Sequence, residues 1–152
     1  MVQSIYQIPT INKKATKKEV ESLLDKYRMY LVSLPSDKLP SITPSYSIIP
    51  PSFTNEFRSS TESTALDRVA YETERNQFLK RIHDAVAGLK PDERFIIYKK
   101  YMEQDIGYDV AIWTDLGIGK TKYYEVKGAA ILRLAFNLKV EVYKTRKGEK
   151  SA

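Results

Sequence analysis

The chain has no cysteine and only one histidine. Without thiols, disulfides, thiolate metal sites and cysteine nucleophiles are excluded, a composition compatible with a reducing cytoplasm. The lone histidine, His83, stands beside Arg81 and Asp84 with no metal-ligand spacing around it, so it reads as a structural residue, neither catalyst nor ligand. Nowhere do about 18 successive apolar residues occur, the length a membrane helix needs. The opening MVQSIYQIPTINKK has no apolar run of the signal-peptide kind. No paired carboxylates fall in an expected pocket, and Glu72, Glu74 and Arg75 read as a solvated helix face. The expectation is a soluble cytoplasmic binding protein with no catalytic residues, no metal and no cofactor.

What is present is charge, unevenly placed. Residues 1–115 hold 16 Lys or Arg against 16 Asp or Glu, whereas residues 116–152 hold nine against three, so the net charge of +6 lies in the last quarter. A basic face confined to one segment suits a polyanion, because each neutralised phosphate releases condensed counterions. With 152 residues, the chain fits one domain with appendages.

The pattern along the chain predicts an all-α fold. Residues 1–15 carry no clear period and read as an arm. From Thr16, Val20, Leu23, Leu24, Tyr27, Leu31 and Leu34 recur every three or four residues, with Lys17, Lys18, Glu21, Asp25 and Lys26 between them. That spacing makes one amphipathic helix, and arm and helix together form an N-terminal section, 1–34. Residues 35–60 hold Pro35, Pro40, Pro44, Pro50 and Pro51 among serines. They read as an extended linker, with Ile48, Ile49, Phe53 and Phe57 available to dock. A long connection of this kind is unusual inside a compact domain, which places a boundary before a helical domain at 61–143, followed by a basic tail at 144–152.

Within that domain, Ser63 to Ala87 reads as a long helix carrying Leu79, Ile82 and Val86. Gly88 is expected to turn left-handed at its end. Pro91 suits the first turn of the next helix, with Asp92 and Glu93 near its positive end; that helix, to Met102, would bury Phe95, Ile97, Tyr98 and Tyr101. Asp109 is placed to cap the short helix VAIWTDL, in which Trp113 reads as core, and Gly117 breaks it. A last helix from Lys120 turns Tyr123, Val126, Ala130, Leu134 and Leu138 inward, and KVEVYK alternates as a short strand or a frayed extension.

LGIGKTKYYE, residues 116–125, contains a Gly-Lys-Thr suggestive of a phosphate loop. That loop needs glycine five positions before Gly119, where this chain has Thr114, and a buried strand ahead of it. Neither condition is met. A helix-turn-helix, over 109–138, instead needs a short helix, a turn with glycine, and a second helix whose first residues reach base edges. Leu116 and Ile118 then anchor the turn, and Lys120, Thr121, Lys122, Tyr124, Glu125 and Lys127 point outward.

The run LKPDERFIIYKKYM followed by DVAIWTDLGIGKTKYYEVKGAAILRLA resembles region four of bacterial sigma factors, with its leucine, its Glu-Arg pair and its Leu-Gly-Ile turn. The pair Tyr123-Tyr124, Lys127, Ala129, Ala130 and the ending LRLAFNLKVEV resemble more closely the ArpU family of phage and prophage transcriptional regulators. The likeness covers about residues 75–143, with Gly119 where sigma-like modules usually carry a capping serine. It implies a sigma-region-four-like helical bundle in a bacterial host cell, controlling late phage genes for packaging or lysis.

The resulting expectation is a sequence-specific regulator of double-stranded DNA. Lys120, Thr121, Lys122, Tyr124 and Glu125 would face the major groove, while Lys127, Arg133 and the tail lysines contact phosphates. RNA polymerase is a further partner for a sigma-like module, and a homodimer through the N-terminal helix would pair two recognition helices. The alternatives are a small terminase subunit that assembles on packaging DNA and a sigma-like polymerase-binding factor.

Overall fold

The structure, a computed structural model, describes residues 10–52 and 62–145, with side chains from residue 65 in the second segment. It is mainly α-helical. Helix α1, Lys13–Leu31, starts three residues before the amphipathic stripe because the Asn12 side chain accepts the Ala15 N–H at 3.0 Å, a side-chain N-cap. Val20, Leu24, Tyr27 and Leu31 are all buried. The stripe is therefore occupied within the chain, in one core with residues of α2, Glu62–Ala87, and α5, Lys120–Leu138.

Residues 35–52 take specific structure. A 3-10 turn at Ser36–Lys38 leads into an antiparallel hairpin of β1, Ser41–Ile42, and β2, Ile48–Ile49, in the register Ser41 to Ile49. Tyr46 at its tip has a φ of 64°, an uncommon conformation for a residue with a side chain. Two contacts hold it: its ring lies 4.7 Å from that of Phe95, and its carbonyl accepts the Arg94 Nε–H at 2.7 Å. Leu39, Ile42 and Ile48 pack on the main core. Phe53 and Phe57 lie outside the described residues.

The long helix α2 ends at Gly88, but not through a left-handed residue; Gly117 is the glycine with positive φ among the described residues. The small size of Gly88 serves a close approach instead. A Cβ there would stand 2.9 Å from the Asn137 amide nitrogen, which donates to the Ala85 carbonyl at 2.9 Å. Arg75, expected on a solvated face, is buried, with Nε on Asn76 and a terminal nitrogen 3.2 Å from Ser33 Oγ. Ser33, in the segment just after α1, is a partner out of view in a local pattern.

Helix α3, Pro91–Ile97, begins as its proline and acids predict, with the Glu93 carboxylate accepting the Lys90 N–H at 2.9 Å. It continues as a π-helical turn, Tyr98–Met102. Phe95, Ile97, Tyr98 and Tyr101 are buried as expected, together with Ile96 and Met102. The Glu-Arg pair is architectural: Glu93 also accepts Arg133 Nε at 3.0 Å, while Arg94 ties the hairpin tip to the Leu89 carbonyl. The C-terminal KVEVYK returns to the arm. Asn12 donates to the Val142 carbonyl at 2.8 Å and Lys144 to that of Thr10 at 2.7 Å, around an antiparallel bridge between Ile11 and Tyr143.

Candidate nucleic-acid interface

Helix α4, Asp109–Leu116, ends on Gly117 at φ 69° and ψ 30°. The Gly117 N–H bonds the Thr114 carbonyl and the Ile118 N–H bonds that of Trp113, both at 3.0 Å. This paired closure is a Schellman motif, and it needs a left-handed residue that glycine supplies without strain. Leu116 and Ile118, half-buried, pack with Trp113 around Phe95, Ile96, Ile112 and Tyr123. A second, smaller core thus sets the angle at which α5 leaves the turn. Gly119, extended at φ −84° and ψ 169°, caps α5 without a side-chain acceptor, so the first amides have no such partner.

Five of the seven expected DNA-contacting residues stand together at this end. Lys120, Thr121, Lys122, Tyr124 and Glu125 are exposed. Tyr124 keeps 46% of its surface in solvent while its ring is braced edge-on by Trp113 at 6.2 Å and Tyr123 at 5.2 Å. A ring held in this way presents a face at little ordering cost. Lys122 and Glu125 lie 3.8 Å apart with both side chains mostly exposed, a pairing weak enough to open for a ligand.

Lys127 corrects the sequence expectation. It is only 7% exposed, turned inward, with Nζ 3.3 Å from Asp109 Oδ1 and 5.7 to 5.9 Å from the ring centres of Tyr101, Tyr123 and Tyr124. The carboxylate of α4 draws the ammonium into the bundle, away from the exposed side of α5. Asp109 is the first residue of α4 and does not cap it; its carboxylate accepts the Tyr123 hydroxyl and stands 3.4 Å from Lys100. Burial raises the Asp109 pKa, but the Tyr123 hydroxyl, Lys127 and Lys100 outweigh it and hold the carboxyl below its ordinary value. Burial lowers the Lys127 pKa; Asp109 opposes that, and Lys100 and Lys17 add to the lowering. The knot locks α4, the π-helical turn and α5 together behind the exposed face.

Arg133 keeps an exposed side chain, yet its Nε is engaged by Glu93, fastening α5 to the start of α3. Of the tail, Lys144 is exposed and residues 146–152 lie outside the described residues. Trp113 is half-buried, and Tyr98, Tyr101 and Tyr123 are packing residues. His83 is buried, 2.6 Å from the Tyr27 hydroxyl.

A groove beside Tyr124 also brings in Lys13 and Lys17 from α1. The sequence marks α1 lysines only as the polar side of their own helix, and no local signal pairs them with α5. Among the described residues no group of three metal-ligating side chains converges, and no helix is long and apolar enough to cross a membrane.

The chain is 32% identical over 143 residues to the "uncharacterized phage-related protein Lin1259/Lin1739" of Listeria innocua serovar 6a, covering 94% of this chain and 100% of that protein. It is 27% identical over 136 residues to Protein Gp66 of Listeria phage A118, covering 90% and 93% respectively. No family model matches the chain. No solved structure matches it either.

Proposed function

We propose that this chain, which belongs to the family of the Listeria innocua phage-related protein Lin1259/Lin1739, is a sequence-specific double-stranded-DNA-binding regulator of phage or prophage genes, akin to the ArpU family. The phage association comes from the relatives, and the DNA-binding role from the start of α5. The reading takes α4, the Gly117 turn and α5 as a helix-turn-helix that binds DNA and carries out no catalysis.

One observation carries it. The first turn of α5 holds Lys120 and Lys122, no acid and no side-chain cap. A helix start carries partial positive charge, so each lysine there opposes the macrodipole by about 0.3–1 kcal/mol at low ionic strength. For the folded chain alone this arrangement is unfavourable; against a phosphate backbone, lysines and free amides both become favourable. Thr121, Tyr124 and Glu125 beside them supply a hydroxyl, a braced ring and an acceptor suited to cytosine N4, the groups that read base edges.

The test is to mix the full chain with fragmented DNA of its source genome at about 150 mM salt, where nonspecific phosphate binding is weakened, and sequence what is retained. A sharp peak upstream of an operon is expected. Lys122→Ala with Tyr124→Ala should abolish the preference for that site while leaving the far-UV circular dichroism spectrum unchanged. Undiminished discrimination by the double variant would refute the assignment of these residues. Absence of any peak, with a many-membered ring in light scattering, would favour a packaging assembly protein instead.

A further inference from the structure

We propose that the first two turns of α1 form a second DNA-contacting strip, with Lys13 and Lys17 gripping a phosphate backbone alongside α5. The inference rests on the DNA-binding reading and extends it from one helix to two.

Lys13 and Lys17 are one helical turn apart and so share a face of α1. Together with Thr16 they form one wall of an open groove of about 520 Å³, whose other wall is α5 from Tyr124 and Glu125 through Gly128 and Ala129 to Leu132. The lysines thus stand across the groove from the exposed face of α5. Lys14 and Lys18 lie on the neighbouring exposed face, giving four lysines within residues 13–18. None of these four has an ion-pair partner among the described residues. Like α5, α1 has no acid in its first turn, so Lys13 and Lys14 there oppose the helix dipole.

Gly128 supplies an independent observation. It lies in the interior of α5, where glycine is disfavoured relative to alanine, and an added Cβ there would meet nothing within 4 Å. No packing within the described chain requires the missing side chain. With Ala129 next to it, it leaves the α5 wall low beside the lysines, space that an approaching backbone would use. Helix α1 is joined to the segment after α5 through Thr16 and Val142 and to Tyr101 through Glu21.

The charge complementarity favours DNA over a protein: unpaired lysines on one wall adjoin a helix start that is itself positive, and Glu125 is the single acid on the lining.

The experiment compares wild type, Lys13→Ala/Lys17→Ala and Lys13→Arg/Lys17→Arg on two duplexes of equal length, one retained from the source genome and one of random sequence, across a salt series. The alanine variant should lower the slope of log affinity against log salt by about two, at roughly 0.9 per lost phosphate contact. It should weaken both duplexes by the same factor, leaving the preference between them intact, and the arginine variant should restore the slope. Unchanged slope and affinity in the alanine variant, with wild type still choosing its site, would overturn this inference alone and give the groove to an acidic protein partner. A wild type that retains no genomic fragment and binds no random duplex would overturn the DNA-binding reading and this inference with it. Gly128→Gln, which places a side chain in the groove, should weaken both duplexes; full affinity there would also count against it.

Discussion

Replacing Asp109 by alanine tests whether the knot behind the proposed interface holds α4 against α5. The substitution removes one carboxylate and orphans two groups. The Tyr123 hydroxyl loses its acceptor within a fully buried residue, a loss of about 1–3 kcal/mol. Lys127, with 9% of its side chain exposed, loses its nearest counter-ion at 3.3 Å; breaking a fully buried pair costs about 3–5 kcal/mol. That second figure must be discounted, because the Asp109 side chain is 25% exposed and water screens it, and because three tyrosine rings near 5.8 Å still face the ammonium. The net expectation is a loss of about 2–4 kcal/mol, a large fraction of a typical domain's stability.

Urea unfolding followed by circular dichroism at pH 7 measures the loss, and the double-mutant cycle with Lys127→Met identifies its source. Alone, Lys127→Met exchanges a desolvated ammonium for an apolar stem and should be near neutral. In the Asp109→Ala background it removes the orphaned charge and should recover about 1 kcal/mol or more. The pH dependence has a definite sign. The folded Asp109 pKa is depressed, so its stabilisation is complete above the ordinary value of about 3.9 and is lost as pH falls through the lower folded value. Wild type and Asp109→Ala should therefore differ by a constant amount from pH 5 to 8 and converge below about pH 4. A cost under about 0.5 kcal/mol, or equal effects of Lys127→Met in both backgrounds, would refute the coupling.

Gly117→Ala should destabilise the chain by about 1–2 kcal/mol, because φ 69° is the left-handed region and open space around the missing Cβ offers no compensation; a thermal melt unchanged within error would contradict the closure described for α4. Burial lowers the His83 pKa from 6.5 to about 4, with Asp84 opposing weakly. The folded value being the lower, stability should be full above pH 6.5 and fall by up to about 3 kcal/mol toward pH 4. His83→Gln should flatten that part of the pH profile, and an unaltered profile would assign the titration elsewhere. Tyr27→Phe should cost about 1–3 kcal/mol in urea unfolding, since it leaves buried His83 Nε2 without its 2.6 Å partner while Nδ1 already has none.

The helical elements of this chain follow from local chemistry. Apolar spacing at three and four residues is a property of neighbours, so α1, α2 and α5 were legible within a few residues of their ends. Pro91 marked the start of α3, and Gly117 the end of α4, because each restricts or frees its own backbone dihedrals. The same logic placed Lys120, Thr121, Lys122, Tyr124 and Glu125 outside, at the start of a helix whose inward face was set by Tyr123 and Ala130. Prolines marked residues 35–52 as non-helical, but Arg94, Phe95 and Tyr98, roughly 50 residues away in sequence, hold the hairpin in its seat.

Only the tertiary structure decided which charges face water. Lys127 stands on the inward face of its own helix, four residues after Tyr123 and three before Ala130, and a lysine is accommodated there because Asp109, 18 residues earlier, meets it once α4 crosses behind α5. Arg75 is buried with a guanidinium nitrogen on Ser33, 42 residues earlier, and Lys13 and Lys17 meet the α5 groove because α1 and α5 pack in one core, with Thr16 tied to Val142, 126 residues apart. Periodicity reports the side of a helix, which the chain specifies within a turn or two. The partner of a charge depends on which helix packs there, and long-range packing sets that.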